Sequence, residues 1–229
     1  MTADRPSDTL ADRSAFRSRR AWLIFLITAV VSLAIDLATK YLAFRMIAPD
    51  PLEFTRGDVL AAQAADQPIS VLIPFHEPVT VVPHVLEFTL VLNPGAVFGI
   101  GAGKRTFFIV FTMLAVAFVT WAFARWTRHR DWWVHIAAGL VIGGGIGNLY
   151  DRVVYACVRD FLHPLPTATI PFSGGRPLWP YVSNVADAML IVGIIGLVLF
   201  SWFSGHEANR PADKDKTQNA TDATEPNTD

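Results

Sequence analysis

The chain has 229 residues, of which 52% are hydrophobic and only 17% charged, and this composition is too apolar for an ordinary soluble domain. Its 19 Lys and Arg residues against 20 Asp and Glu leave a formal net charge of −1, which provides no general positive field for nucleic acid. The single cysteine, Cys157, excludes an intramolecular disulfide and a Cys-rich metal site. We therefore expect a membrane protein.

Four stretches are long and apolar enough to cross a bilayer, because a helix needs about 20 apolar residues to span the hydrocarbon. They lie at residues 21–47, 106–124, 132–150 and 183–203. The first follows several arginines but is too long for a signal peptide and has no small-residue cleavage site after it, so we interpret it as a retained span. The sequence predicts an all-α integral membrane protein with four transmembrane helices.

The basic residues predict the orientation of these spans through the positive-inside rule. Five arginines precede the first span, and Arg125, Arg128 and Arg130 lie between the second and third spans. Both regions are expected in the cytoplasm, and the longer connections on the outer face. Residues 1–20 are then a cytoplasmic N-terminal segment, residues 21–203 the membrane domain, and residues 204–229 a disordered cytoplasmic tail of polar composition.

One segment of the first outer connection has the periodicity of a strand. Every second residue from Leu86 to Leu92 is large and apolar, as in a strand with one buried face. Asn93-Pro94-Gly95 then provides turn residues. The sequence predicts a small extracytoplasmic β platform, at about residues 70–100, on the outer membrane surface.

Charged side chains inside the spans need a partner or a function, because one costs at least ~2.5–3.5 kcal/mol at the bilayer centre. Asp36 and Lys40 are four residues apart in the first span, which is the spacing of an ion pair on one helical face. We interpret this pair as a buried strut that orients the helix. Direct participation in chemistry is the alternative.

Polar residues also gather at the outer end of the third span. Asn148 and Arg152 share one helical face and could fix a neighbouring carboxylate. Gly139, Gly143 and Gly147 precede them at intervals of four residues, and this spacing predicts close helix packing rather than a phosphate-binding loop.

Two aspartates, Asp160 and Asp187, lie at the outer membrane edge on this topology. Either one alone is typical of a helix cap or a surface charge, and Asp187 follows Asn184 by one helical turn. If the two converge, repulsion between their charges raises one pKa, and the pair then shares one proton. Such a pair can position a water molecule for attack on a carbonyl group.

These blocks, in this order, resemble lipoprotein signal peptidase, also called signal peptidase II, a family of bacterial integral-membrane aspartic peptidases. The resemblance extends over roughly residues 21–203. The blocks that carry it are Asp36-x-x-x-Lys40, Asn93-Pro-Gly-Ala-Val-Phe98, Gly147-Asn148-Leu-Tyr-Asp151-Arg152, Arg159-Asp160-Phe161 and Asn184-Val-Ala-Asp187.

The resemblance implies that Asp160 and Asp187 are the catalytic dyad and that Asp36 and Lys40 stabilise the fold. The residues that it implies as dyad support or substrate contacts are Asn93, Gly95, Asn148, Arg152 and Asn184. The implied substrates are prolipoproteins whose cysteine already carries diacylglycerol, cleaved on the amino side of that cysteine at the outer face of the bacterial cytoplasmic (inner) membrane. We expect a monomer that contacts membrane lipid and uses no metal, cofactor or nucleic acid.

Two features depart from the family pattern. Arg159 stands where the family usually has an apolar residue, and a cation at this position is expected to lower the pKa of Asp160. Val97 replaces a customary small residue. The outer loops at 49–83 and 163–180 are also long for the family, which affects the expected shape of the substrate cover rather than the chemistry.

Three other functions compete with this interpretation. A small transporter would use the intramembrane charges as a proton relay, but the carboxylates lie at the outer edge and no repeat of the spans is visible. A cysteine or serine hydrolase would use Cys157 or Ser183, but neither lies in a nucleophile elbow. A structural scaffold would leave the polar residues without a role.

Overall fold

The computed structural model describes residues 14–95 and 105–208, with side chains up to Phe203. The helices are α1 (Arg19–Met46), α2 (Arg56–Ala64), α3 (Arg105–Trp126), α4 (Trp132–Val154) and α5 (Val185–Ala208). The strands are β1 (Val79–Val82), β2 (Leu86–Asn93) and β3 (Val158–Pro164), and short 3-10 turns lie at Ala15–Arg17 and Ile69–Leu72.

Four of these helices, α1, α3, α4 and α5, are long and apolar enough to cross a membrane. Large apolar side chains cover their outer surfaces, for example Leu26, Phe111 and Ile195. Exposed apolar surface of this extent suits contact with lipid rather than water. The prediction of a mostly helical, multi-pass membrane protein is confirmed. Helix α5 continues into the segment predicted as the tail, and residues 209–229 of that tail and 1–13 of the N-terminal segment lie outside the described residues.

Helix α4 is the central and most buried span, and it packs against α1, α3 and α5. The contact with α1 requires glycine: a Cβ added to Gly143 would lie 2.5 Å from the Cβ of Ser32 and 2.6 Å from the carbonyl oxygen of Ala29. One turn later, a Cβ on Gly147 would overlap the carboxylate of Asp36. The predicted close packing at these glycines is confirmed.

The three strands form an antiparallel sheet in the order β1-β2-β3. The predicted strand is present as β2, and Leu90 and Leu92 are buried as its periodicity indicates. These two side chains pack in one core cluster with Phe44 of α1 and Phe161 of β3, which attaches the sheet to the bundle. Strand β3 lies outside the predicted platform, while residues 96–100 of that platform lie outside the described residues.

The connection between α1 and β1 contains a helix, α2, that the sequence analysis did not predict. Thr55 caps it: the Thr55 hydroxyl accepts from the backbone N–H of Asp58, and the Asp58 carboxylate accepts from the backbone N–H of Thr55. The Thr55 hydroxyl also donates to the Asp58 carboxylate at 2.7 Å, and this bond, with the one from the Thr55 N–H, holds the pKa of Asp58 below its usual range. The Thr-x-x-Asp spacing is the sequence signal that indicates this helix start.

Candidate active site

The polar residues singled out in the sequence meet where strand β3 approaches the C-terminal end of α4 and the N-terminal end of α5. Asp160 is the third residue of β3, and Asp187 lies in the first turn of α5. Asn148 comes from α4, and Asn184 immediately precedes α5. Asn93 ends β2, which pairs with β3. Residues from four separate elements therefore form one cluster.

Asp160 is buried, with 1% of its surface exposed. Its Oδ1 accepts a hydrogen bond from Asn184 Nδ2 at 2.6 Å, and its Oδ2 accepts one from Asn93 Nδ2 at 3.0 Å. Burial and the neighbouring charge of Asp187 raise the pKa of Asp160 to about 7, and the two amide donors offset part of this rise. The protonated and ionised forms of Asp160 are thus both accessible near neutral pH.

Asp187 has its own amide donors. Its Oδ1 accepts from Asn148 Nδ2 at 2.8 Å, and its Oδ2 accepts from the backbone N–H of Asn184 at 3.2 Å. The backbone N–H of Asp187 donates in return to Asn184 Oδ1 at 3.1 Å, which makes the two residues a capping box for α5. Asp187 therefore belongs to the capping box of α5 and also to the carboxylate pair.

Asn184 links the two aspartates directly. Its side-chain amide donates to Asp160 and also to Asn148 Oδ1 at 3.1 Å, while its backbone N–H donates to Asp187. Asn184 is fully buried. Asn184 is therefore in hydrogen-bond contact with both carboxylates of the pair.

Arg152 borders the cluster on α4. Its Nη1 donates to the carbonyl oxygen of Asn148 at 3.2 Å, and its Nη2 donates to the carbonyl oxygen of Gly95 at 3.1 Å. Gly95 is itself held by Asn93, whose Oδ1 accepts from the Gly95 N–H at 3.0 Å. Arg152 thus connects α4 to the turn after β2, and its charge interacts with both aspartates.

Asp36 and Lys40 form an ion pair next to this cluster. The Lys40 ammonium lies 2.8 Å from Asp36 Oδ2, and both side chains are fully buried. The same ammonium lies 2.9 Å from Asn148 Oδ1 and 3.3 Å from Asp151 Oδ2. The ammonium thus donates a hydrogen bond to one amide oxygen and lies within ion-pair distance of two carboxylates.

Asp151 is a residue to which the sequence analysis assigned no role. It is fully buried near the C-terminal end of α4, where its carboxylate contacts both Lys40 and Arg159. The sequence does contain a feature that indicates a paired role for Asp151. Its carboxylate lies three residues after Asn148 at the end of an apolar span, where an unpaired charge is costly.

Arg159 pairs with Asp151 and, among the residues that the structure describes, makes no hydrogen bond or ion pair with Asp160. The Arg159 Nε and Nη2 atoms donate to Asp151 Oδ1 at 3.2 and 2.8 Å, and its guanidinium carbon lies 4.4 Å from the centre of the Tyr155 ring. Adjacent residues of a strand point to opposite faces, so Arg159 is directed away from Asp160. The sequence analysis did not predict β3 and therefore did not anticipate the pairing of Arg159 with Asp151.

Cys157 and Ser183 do not have the surroundings of nucleophiles. Cys157 is fully buried, and burial raises the pKa of its thiol to about 12, so the reactive thiolate is scarce at neutral pH. The Ser183 hydroxyl donates to the carbonyl oxygen of Leu162 at 3.4 Å. These environments disfavour the cysteine or serine hydrolase alternative.

Comparison with protein families gives a match to the model described as signal peptidase (SPase) II, over residues 27–203. A lipoprotein signal peptidase from Streptomyces griseus is 31% identical over 222 residues, covering 93% of this chain and 90% of the relative. One from Desulfitobacterium hafniense is 34% identical over 140 residues, covering 59% and 83%. One from Syntrophotalea carbinolica is 39% identical over 138 residues, covering 58% and 80%.

Two solved structures share the fold. A structure described as a bacterial membrane enzyme superposes with a TM-score of 0.59 at 23% identity, covering 88% of this chain and 99% of that chain. A second, described in the same words, has a TM-score of 0.53 at 24% identity, covering 76% and 90%. The arrangement of four spans with a small sheet is therefore one that a bacterial membrane enzyme is known to adopt.

Proposed function

The chain belongs to the signal peptidase II family, and on that basis we propose that it removes signal peptides from diacylglyceryl-modified prolipoproteins, with Asp160 and Asp187 as its catalytic dyad. Cleavage is on the amino side of the lipidated cysteine. The observation that carries the proposal is the junction at Asn184, whose side chain donates to Asp160 while its backbone donates to Asp187. Two acids from distant elements are thereby held beside each other.

The dyad operates with one shared proton. Because the pKa of Asp160 is about 7, its neutral form is present at neutral pH and can donate a proton. Asp187 accepts a proton from water as the water oxygen attacks the scissile carbonyl carbon, and Asp160 protonates the carbonyl oxygen. When the tetrahedral intermediate collapses, the carbon–nitrogen bond breaks, the amine nitrogen takes the proton from Asp187, and a hydroxyl proton returns to Asp160.

The surrounding amides orient the dyad and receive the substrate. Asn148 and Asn184 each bond to the carboxylates, which restricts rotation of both acids. Arg152 and Asn93 hold the Gly95 turn at the edge of the site. In this proposal the turn borders the extended substrate segment around the scissile bond, and Arg152 places a cation where negative charge develops. The mechanism needs no metal or cofactor.

The site suits a substrate that is anchored in lipid. The dyad lies at the end of the bundle that carries the sheet, where α4 ends and α5 begins. A precursor held by two acyl chains presents its scissile bond at this depth. The proposed location is the cytoplasmic (inner) membrane, with the site at the outer face, both termini in the cytoplasm and the protein acting as a monomer.

The test is cleavage of a diacylglyceryl-modified precursor by the full-length protein in detergent or phospholipid, followed as a gel shift. Asp160→Asn and Asp187→Asn should each lower turnover by roughly 10²–10⁴-fold or more, the contribution of a positioned acid or base. Asp50→Asn, an isosteric change at an exposed outer aspartate, is the matched control and should leave turnover unchanged. Wild-type turnover by either dyad variant would refute the assignment.

A further inference from the structure

Each dyad aspartate is preceded by a residue whose backbone N–H is held by a buried carboxylate. The N–H of Ala186, just before Asp187, donates to Asp36 Oδ1 at 3.0 Å. The N–H of Arg159, just before Asp160, donates to Asp151 Oδ2 at 3.0 Å. The start of α5 and the start of β3 are thus fixed in the same way.

The ammonium of Lys40 joins these two carboxylates. It lies 2.8 Å from Asp36 and 3.3 Å from Asp151, and all three side chains are fully buried. It also lies 2.9 Å from the side-chain oxygen of Asn148, whose amide nitrogen donates to Asp187. We call Asp36, Lys40 and Asp151 the Lys40 cluster. One cation therefore connects the backbone supports of both acids.

We propose that the three residues of the Lys40 cluster are positioning residues that set the separation of the Asp160 and Asp187 carboxyl groups, an inference that rests on the proposed function. A shared proton requires the two groups to remain within a narrow range of distances. In the part of the chain that the structure describes, the hydrogen bonds from the cluster towards the dyad go through a backbone N–H or through Asn148. The cluster therefore acts on the geometry of the acids rather than on the substrate.

Stability alone does not account for three charges at this place. Removing charged groups from water is costly, and well-packed apolar residues often stabilise a protein as well as a buried ion pair does. Apolar side chains, however, cannot accept the two backbone N–H groups. The N–H of Ala186 lies in the first turn of α5, where a helix provides no partner of its own.

Arg159 completes the charge balance of the cluster in this chain. Its guanidinium pairs with Asp151 at 2.8 Å, so two cations offset two anions within the buried group. Within residues 14–95 and 105–203, the charged groups that face this region besides the dyad are Asp36 and Lys40 from α1, Asp151 and Arg152 from α4, and Arg159 from β3. Removal of one of these cations should raise the pKa of Asp160, and removal of one of these anions should lower it.

Lys40→Arg is the decisive variant, because it retains the positive charge and changes the reach of the bridging group. We expect folded protein in which kcat falls by roughly 10²-fold, since a displacement near 1 Å in an active site has this effect. KM should be retained, and the pH limits of activity should differ little. Ser32→Ala is the matched control, because Ser32 is buried in the same helix one turn before Asp36.

Two further variants test the sign of the charge effect. Lys40→Met removes a cation that lowers the pKa of Asp160, so both limbs of the pH–rate profile should move up by roughly one pH unit. Asp151→Asn removes an anion and retains one oxygen acceptor. Both limbs of the pH–rate profile should therefore move to lower pH. A lower folded fraction would scale the rate equally at every pH and would not move the limbs.

The measurements are kcat, KM and the pH–rate profile on a diacylglyceryl-modified precursor, with the folded fraction from size-exclusion chromatography. Wild-type kcat in Lys40→Arg, a change in KM alone, or loss of folded protein in all three cluster variants would overturn the inference. The last result would assign the cluster to fold stability. Failure of the proposed function is distinguishable from this result. It would appear as wild-type turnover by Asp160→Asn or Asp187→Asn in protein whose Lys40 cluster is unchanged.

Discussion

Replacing Asp160 by asparagine tests whether the fold holds this carboxyl group in its neutral form. Burial, with the charge of Asp187, raises its pKa from 3.8 to about 7. Because the folded-state pKa lies above the unfolded one, the neutral group contributes fully to stability below pH 3.8, and this contribution is lost as the pH rises through about 7. Asparagine is similar in size and has no charge to desolvate, so it avoids that loss.

The size of the effect follows from the same values. At ~1.36 kcal/mol for each pKa unit, the rise from 3.8 to about 7 corresponds to about 4 kcal/mol of lost stability above neutral pH. The asparagine amide cannot accept from both Asn93 and Asn184, and the lost hydrogen bond costs ~1 kcal/mol. Asp160→Asn should therefore be more stable than the wild type by about 3 kcal/mol at pH 8, and within about 1 kcal/mol of it at pH 4.

Thermal unfolding in detergent, followed by the fluorescence of the seven tryptophans, measures this difference. At ~2–4 °C for each kcal/mol in a chain of this size, the Tm of Asp160→Asn at pH 8 should be about 6–12 °C higher. Asp50→Asn is the control, because the same change at an exposed aspartate should leave the Tm unchanged at both pH values. A Tm for Asp160→Asn below that of the wild type at pH 8, or a difference independent of pH, would refute the reasoning. A stabilised variant without activity would also separate catalysis from folding.

Two other predictions concern packing and reactivity. Gly143→Ala places a methyl group 2.5 Å from the Cβ of Ser32 and should destabilise the protein by ~1–3 kcal/mol, whereas Gly145→Ala has its nearest neighbours at 3.7 and 3.8 Å and should be tolerated. Equal Tm values for the two variants would contradict the proposed helix contact. Cys157 should react with a maleimide at pH 8 on the order of 10³-fold more slowly than a free cysteine, because burial raises its pKa to about 12. Rapid labelling of the folded protein, measured by mass spectrometry, would show that the thiol is accessible.

The sequence by itself determined the features that depend on neighbouring residues. The four spans follow from hydropathy, because a membrane helix satisfies its backbone hydrogen bonds within its own segment. The pairing of Asp36 with Lys40 follows from the four-residue repeat of one helical face. The start of α5 follows from the spacing of Asn184 and Asp187, although the sequence analysis treated the cap and the dyad as alternatives.

Only the tertiary structure decided which residues meet across these elements. The third strand was not predicted, and so the pairing of Arg159 with Asp151 was not anticipated. Asp151 acquired its partners from α1 and β3, which no local pattern indicates. The bond from Ala186 to Asp36 joins residues 150 positions apart. The pKa of Asp160 likewise depends on burial and on a second acid from another element, and these exist only once the chain has folded.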